Sequence, residues 1–345
     1  MDEAISRGEL ASRRRSVLGA SASGKSTWIG ALASSLLEDS AEHVCLVDVA
    51  AAMAPLLRLS EPLELGEYPK RTPIDHQTDL ELPLATKGER FPDARFTLRV
   101  GDYAGEQVER LFRDRARGWS AAWKTRARAD AIVLFLRPEA TTPLPRLEPS
   151  RATRDQWEAL RSSSPEAPAT VHLKSPQAAG PEDLFSDVLV EEAAEAPAPA
   201  PGEPVRVPTV LALVELLQFL RDVRGLAPGE RLPTGALRIV LLASAWDQVD
   251  PAWRTNGQGP AAFLAEQAPL LHDFLWSNFH ADDVFRFGLS STGGDLGKLG
   301  HRERYEEEPG GFVEWTDTTG HLCSTRDLAL PLYWALFGDA ALKEG

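Results

Sequence analysis

The eight residues from Gly19 to Ser26 constrain this chain more than any other stretch, because they read G-x-x-x-x-G-K-S. Glycine allows the tight turns in which backbone N–H groups curl around phosphate oxygens. Lys25 supplies a positive charge for the β- and γ-phosphates, and the Ser26 hydroxyl is a ligand for Mg²⁺. The pattern predicts a nucleotide-phosphate site formed by Gly19, Ala20, Ser21, Ala22, Ser23, Gly24, Lys25, Ser26 and Thr27.

Composition and charge exclude several functional classes. The formal net charge of −14 over 345 residues argues against a broad nucleic-acid or anionic-membrane surface. The two cysteines form no disulfide framework, and the acidic N-terminus lacks an apolar signal segment. Since no uninterrupted apolar run reaches about 18 residues, nothing predicts a membrane span. We therefore expect a cytoplasmic protein without a nucleic-acid partner.

The composition changes between Pro138 and Pro208, where proline, alanine and glutamate dominate. Such sequence buries too little apolar surface to offset the entropy of ordering the chain. We predict a disordered insertion at residues 138–208 that separates two halves of one large domain, residues 12–137 and 209–345.

Helix and strand patterns alternate in both halves, which predicts an α/β fold with a mostly parallel sheet flanked by helices on both faces. The predicted strands are a first strand from Arg15, then His43–Val49, Thr78–Leu84, Arg95–Val100, Ala131–Leu136, Leu237–Ala243 and Val284–Leu289. The predicted helices are Ser26–Leu37, Ala50–Leu59, Gln107–Ala129, Val210–Val223, Ala261–Phe279 and Leu328–Leu336.

A D-x-x-G motif, Asp102 to Gly105, follows one predicted strand. A carboxylate at a strand end can hold Mg²⁺ through water, and the glycine lets its N–H approach a γ-phosphate. An irregular stretch precedes the strands Thr78–Leu84 and Arg95–Val100, whose alternating apolar and polar residues predict a half-buried hairpin. This stretch contains Thr72, whose hydroxyl and carbonyl can reach Mg²⁺ and the γ-phosphate, preceded by Arg71. We predict metal contacts for Ser26, Thr72 and Asp102, with Arg71 as a candidate for stabilising transition-state charge.

Two further segments predict the base site. Asp247 follows a buried strand and can accept hydrogen bonds from the ring N–H and amino group of guanine, which adenine does not offer. Ser290, Ser291 and Thr292 follow the last predicted strand, where backbone N–H groups can contact the guanine oxygen.

The order of these elements resembles the Ras-like (TRAFAC) GTPases, and most closely the bacterial double-GTPase group of conflict and signalling operons. The resemblance spans roughly residues 15–294 and is interrupted by the insertion. It implies a three-layer P-loop NTPase fold and a molecular switch. Such a switch would bind Mg-GTP, hydrolyse it to GDP and phosphate, and signal to a partner protein.

Two positions depart from that family. Ras-like enzymes often carry Gln directly after the D-x-x-G glycine to orient the attacking water, but here Glu106 stands there and Gln107 follows. Ala245 occupies the place of a lysine that usually packs over the base. The sequence thus leaves two alternatives open: a nucleotide-binding scaffold with little hydrolysis, and a P-loop ATPase.

The predicted helix Gln107–Ala129 carries many cations and two tryptophans, Trp119 and Trp123. Since Trp and Arg dominate protein interfaces, this helix is a candidate surface for a protein effector or activator, together with the switch regions. The alternative is a solvated helix whose tryptophans pack inward. The cations are Arg110, Arg113, Arg115, Arg117, Lys124, Arg126 and Arg128.

Overall fold

The structure is a computed structural model that describes residues 14–19, 22–70, 77–87, 91, 93–103, 108, 111–112, 118–138, 208–227, 229–255 and 257–343. For residues 14, 51, 55, 77–79 and 101–103 it describes the backbone alone. No helix within these ranges combines the length and the apolar character that crossing a bilayer requires.

The strands in chain order are β1 Arg14–Gly19, β2 Val44–Leu46, β3 Gln77–Thr86, β4 Arg95–Tyr103, β5 Ala131–Leu136, β6 Arg238–Ser244, β7 Val284–Ser290, β8 Phe312–Thr316 and β9 Leu322–Thr325. The α-helices are α1 Lys25–Leu37, α2 Val49–Glu64, α3 Ala121–Ala127, α4 Thr209–Asp222, α5 Pro260–Gln267, α6 Pro269–Asn278, α7 Leu299–Glu307 and α8 Leu330–Phe337.

The nine strands form one sheet in the order β2-β3-β4-β1-β5-β6-β7-β8-β9. Its five central strands, from β4 to β7, are parallel, whereas the pairs at both edges are antiparallel. The predicted α/β fold is confirmed, and its predicted β3–β4 hairpin is present. Because β5 and β6 pair directly, the two halves on either side of the interval 139–207 contribute to one sheet. The predicted insertion falls almost wholly outside the described residues.

Helices cover both faces because the central strands are apolar throughout. Val133 and Phe135 of β5 face one core with α1, α2 and α8, whereas Ile132 and Leu134 face the other with α3 to α6. A strand buried on both faces reads as a continuous apolar run, which is what β5 shows. Burial of each large apolar side chain stabilises the fold by about 1.5–3 kcal/mol.

Three predicted elements need correction. The run His43–Val49 is a strand only from Val44 to Leu46, because Val49 already begins α2. The predicted helix Gln107–Ala129 is not continuous. Gly118 has a left-handed φ of 78°, and the Ser120 side chain caps α3 by accepting the N–H of Trp123.

The predicted helix Ala261–Phe279 is two helices. Pro269 starts α6, and the residue before a proline is pushed out of helical conformation, as Ala268 is with φ −135° and ψ 55°. Sequence reasoning also missed α7 and the β8–β9 hairpin. In that hairpin Asp317 accepts the N–H groups of Thr319 and His321 to close the turn.

Candidate functional site

The carboxyl ends of the five parallel strands meet at one edge of the sheet. Gly19 of β1 pairs with Phe135 of β5, and Ser244 of β6 pairs with Leu289 of β7. The β1–β4 register places the backbone of Asp102 at about the level of Gly19. In open α/β sheets, ligands bind at this edge. The phosphate loop, the D-x-x-G motif and the two base segments lie at or directly after the ends of strands that reach it.

Gly19 and Gly24 shape the described part of the phosphate loop, Gly19 and residues 22–26. A Cβ on Gly19 would lie 2.8 Å from the Phe135 Cβ and 2.8 Å from the Ser23 Oγ, so β1 and β5 can approach only without it. Gly24 takes the left-handed φ of 82° directly before α1, and Ala22 takes φ 54°. Both conformations turn the backbone toward the start of α1, where the first N–H groups of a helix point at a ligand.

Lys25 begins α1, and its ammonium group folds back across the loop. The Nζ donates to the Gly19 carbonyl at 2.9 Å and to the Ser23 Oγ at 3.2 Å. Ser26 and Thr27 follow in the first turn and are half-buried. The structure thus brings the positive charge, a hydroxyl and the helix N-terminus to one place, which favours an anionic ligand.

Seven predicted site residues lie outside the described part of the chain, and their roles stay predictions: Ala20, Ser21, Arg71, Thr72, Gly105, Glu106 and Gln107. For the third predicted metal contact, Asp102, the structure gives the backbone position on β4 but not the side chain.

The base loop, residues 244–247, is tied to the phosphate loop. The buried Ser244 hydroxyl donates to the Ser23 carbonyl at 2.8 Å. Ala245 then takes a left-handed φ of 53°, a costly conformation for a residue with a Cβ. This hydrogen bond fixes the distance between the predicted phosphate and base contacts. No local pattern around Ser244 predicts that it bridges them.

Asp247 lies opposite the second base segment. The Ser290 hydroxyl donates to the Asp247 Oδ1 at 2.5 Å, so two predicted base-site residues are in direct contact. Ser290 is fully buried and Thr292 nearly so, whereas Ser291 is half-buried. The hydrogen bond orients the carboxylate at the sheet edge that carries the phosphate loop.

The loop after β7 is also held by its neighbours. A His301 ring nitrogen donates to the Thr292 carbonyl at 2.9 Å, and the Thr292 hydroxyl donates to the Gly294 carbonyl at 2.7 Å. Gly293 has φ 70°, and a Cβ there would lie 2.3 Å from the Gly310 carbonyl oxygen. The backbone N–H groups of this loop are therefore presented in a fixed shape.

Tyr68, which sequence reasoning missed, fastens the stretch before Thr72 to the base site. Its hydroxyl donates to the Asp295 Oδ1 at 3.1 Å and accepts the Leu296 N–H at 3.0 Å. Burial raises the pKa of Tyr68, and the nearby Asp295 and Asp247 carboxylates raise it further.

The two tryptophans of the Arg/Trp-rich segment pack inward. Trp119 stacks on Phe219 of α4 with ring centroids 3.4 Å apart, and Trp123 is only 6% exposed. The Arg126 guanidinium lies over the Trp123 ring at 5.0 Å. Lys124 and Arg128 stay exposed, so within the described part this surface offers cations rather than aromatic side chains.

Among the residues that the structure describes, one group outside the predicted site has ligand types for a metal: Glu42, His43 and Asp327. Asp327 accepts the His43 N–H at 3.1 Å and the Ala329 N–H at 2.8 Å, and the His43 ring nitrogen lies 2.5 Å from its Oδ2. These contacts tie the loop before β2 to the segment that enters α8, so structural hydrogen bonding accounts for this carboxylate.

The sheet order, the glycine-shaped loop and the lysine at the start of α1 define a P-loop nucleotide-binding protein. The family model described as Double-GTPase 1 matches residues 16–335, and the chain belongs to this family. Its placement among the Ras-like GTPases is consistent with that match, and membership implies GTP binding. A comparison with curated proteins finds no match.

Proposed function

We propose that this chain is a guanine-nucleotide switch that binds Mg-GTP, hydrolyses it to GDP and phosphate, and signals to a partner protein. The observation that carries this proposal is the contact between Asp247 and Ser290, at the same edge as the phosphate loop. The Ser244–Ser23 hydrogen bond holds the two parts of the site in one frame.

The Asp247 carboxylate supports guanine as the base. Guanine presents a ring N–H and an amino group side by side, and a carboxylate accepts from both. Adenine presents an unprotonated ring nitrogen at the corresponding edge, which repels a carboxylate. Backbone N–H groups of Ser291 and Thr292 are suited to the guanine oxygen.

The phosphates would be held by the loop N–H groups and Lys25, with Ser26, Thr72 and Asp102 as contacts for Mg²⁺. When bound, the metal neutralises charge on the β- and γ-phosphate oxygens. Hydrolysis adds water to the γ-phosphorus and breaks its bond to the β-phosphate oxygen. Glu106 or Gln107 would orient that water, the Gly105 N–H would contact the γ-phosphate, and Arg71 would stabilise developing charge.

Signalling would pass through the switch stretch around Thr72. Tyr68 fastens the start of this stretch to the loop that follows the base contacts, so the nucleotide site and the stretch are mechanically linked. The exposed cations Lys124 and Arg128 remain candidates for binding an effector or activator that carries acidic side chains.

A substitution that changes which base the site prefers tests the guanine assignment. Asp247→Asn replaces a hydrogen-bond acceptor by an amide, so GTP should lose affinity while XTP gains it, because xanthine carries a carbonyl where guanine carries its amino group. Competition of both nucleotides against a fluorescent GTP analogue measures the change. Asp250→Asn, an exposed acid that caps the next turn, is the matched control and should leave the GTP/XTP preference unchanged. Equal effects of both substitutions would contradict the assignment.

A second candidate is a nucleotide-binding scaffold with little hydrolysis. The observation that favours it is Glu106 in place of the water-orienting Gln. Single-turnover release of phosphate from bound GTP separates the two: a switch releases phosphate in a Lys25-dependent manner, whereas a scaffold retains GTP.

A third candidate, an ATPase, rests on Ala245 in place of the usual lysine and requires ATP to compete as well as GTP.

A further inference from the structure

Trp246, the residue before Asp247, is completely buried and held by three kinds of contact. Its indole packs against Gly288 of β7, where an added Cβ would lie 2.5–2.6 Å from the ring atoms. Its ring meets Phe263 of α5 edge-on at 5.2 Å. Its Nε1 donates to the Glu314 Oε2 at 2.7 Å.

Glu314 lies on β8 and is a buried carboxylate, 6% exposed. Arg254 donates to both of its oxygens, from Nε at 3.0 Å and from Nη2 at 2.6 Å. The Arg254 guanidinium also lies over the Phe312 ring at 4.7 Å, and the hydrogen bond to Glu314 raises the pKa of Arg254. A bidentate pair of this kind is geometrically specific as well as strong.

The brace formed by Trp246, Arg254 and Glu314 reaches the base loop through the sheet register. Glu314 pairs with Gly288, and two residues further along β7 lies Ser290, which holds Asp247. Asp247 is therefore fixed from two sides: by its own bond to Ser290, and by the locked indole of the preceding residue. The left-handed backbone at Ala245 persists only where neighbouring contacts determine it.

We propose that Glu314 and Arg254 are positioning residues for base recognition, acting through Trp246 on the Asp247 carboxylate. This inference rests on the proposed guanine site and assigns part of its selectivity to the β8 strand. Neither residue contacts the base itself. If the brace loosens, the Asp247 carboxylate can swing away from the guanine amino group, while the phosphate loop keeps its own contacts.

Comparing GTP with ITP isolates this effect. Hypoxanthine has the ring N–H of guanine but lacks the amino group, so the GTP/ITP affinity ratio reports how well Asp247 is placed. Glu314→Gln keeps an acceptor for Trp246 but loses the charge that binds Arg254 in bidentate fashion. We expect the GTP/ITP ratio to fall about fivefold, while ITP affinity changes less than about twofold.

Glu308→Gln is the control, because Glu308 also forms an ion pair with an arginine, Arg326, but through one contact on the exposed surface. It should leave the ratio unchanged. Arg254→Lys is the second variant, which keeps the positive charge but cannot donate to both Glu314 oxygens from two fixed nitrogens. It should lower the ratio in the same direction, and it remains available if Glu314→Gln does not fold.

The outcomes separate the inference from the function on which it rests. If the wild-type protein favours GTP over ITP and both variants keep that preference, the positioning role is overturned and the guanine site stands. If the wild-type protein does not distinguish GTP from ITP, the proposed base site fails and the inference fails with it. A loss of GTP and ITP affinity by the same factor in both variants indicates a structural role and also overturns the inference.

Discussion

The phosphate loop and the base loop are held in place by different kinds of contact. Lys25 folds onto Gly19 and Ser23, so the phosphate loop is held largely by residues of its own motif. The base loop depends on partners far along the chain: Ser290 holds Asp247, and Glu314 holds Trp246. A short motif can therefore specify the phosphate site, whereas the base site requires contacts across the sheet, including one from β8, the strand beside the edge strand β9.

Of the variants that test this difference between the two loops, Lys25→Ala should have the largest effect on nucleotide affinity. Removing the only ammonium group of the phosphate-loop motif should weaken binding of GTP and ITP alike, on the order of 100-fold, because a desolvated charge pair is lost. Isothermal titration with each nucleotide measures both affinities. A change in the GTP/ITP ratio would contradict the separation between the two loops.

Gly288→Ala should have the second largest effect. The added methyl group collides with the Trp246 indole, so overpacking should cost about 1–3 kcal/mol of stability and displace the residue before Asp247. Thermal unfolding and the GTP/ITP ratio should both change. Gly300→Ala is the control, because a Cβ there meets no atom within 4 Å.

Ser244→Ala should have a smaller effect, since it removes one buried hydrogen bond between the loops. We expect a loss of about 1 kcal/mol, measured by chemical denaturation, because the Ser23 carbonyl loses its donor. GTP affinity should fall several-fold while binding of inorganic tripolyphosphate is kept. If tripolyphosphate binding falls as much as GTP binding, Ser244 shapes the phosphate loop itself and does not act by connecting that loop to the base loop.

Tyr68→Phe should have the smallest effect, about 0.5 kcal/mol, since the hydroxyl removed is partly exposed and water can replace its partners. Its pH dependence has a definite sign. Because the folded-state pKa is raised above the ordinary value of 10.0, the Tyr68 contribution is complete below that pH and is lost as the pH rises through the raised value. Unfolding of both proteins measured from pH 8 upward should show a constant difference below pH 10.0 that shrinks as the pH rises further.

The phosphate loop and the central sheet could be predicted because their signals are local. Gly24, Lys25 and Ser26 stand at fixed spacing, and the run Ala131–Leu136 is apolar without interruption. The two helices wrongly predicted as continuous could also have been divided correctly from the sequence. Gly118 followed by Ser120 marks a helix break and a cap, and Pro269 marks the start of a new helix.

The brace behind the base site could not be predicted, for a physical reason. Trp246 and Glu314 are 68 residues apart, and nothing in either local sequence shows that an indole N–H will meet a buried carboxylate. Tyr68 meets Asp295 across an even longer interval. Such contacts are fixed by sheet order and register, which depend on the fold as a whole.

Competition between GTP and ATP tests the central claim most directly. Purified protein with Mg²⁺ and a fluorescent GTP analogue is titrated with each unlabelled nucleotide. The proposed base site predicts that GTP displaces the analogue at concentrations at least about 100-fold lower than ATP, because Asp247 accepts two hydrogen bonds from guanine and faces an acceptor in adenine. Displacement at equal concentrations would contradict the guanine switch and leave a phosphate site without base selection.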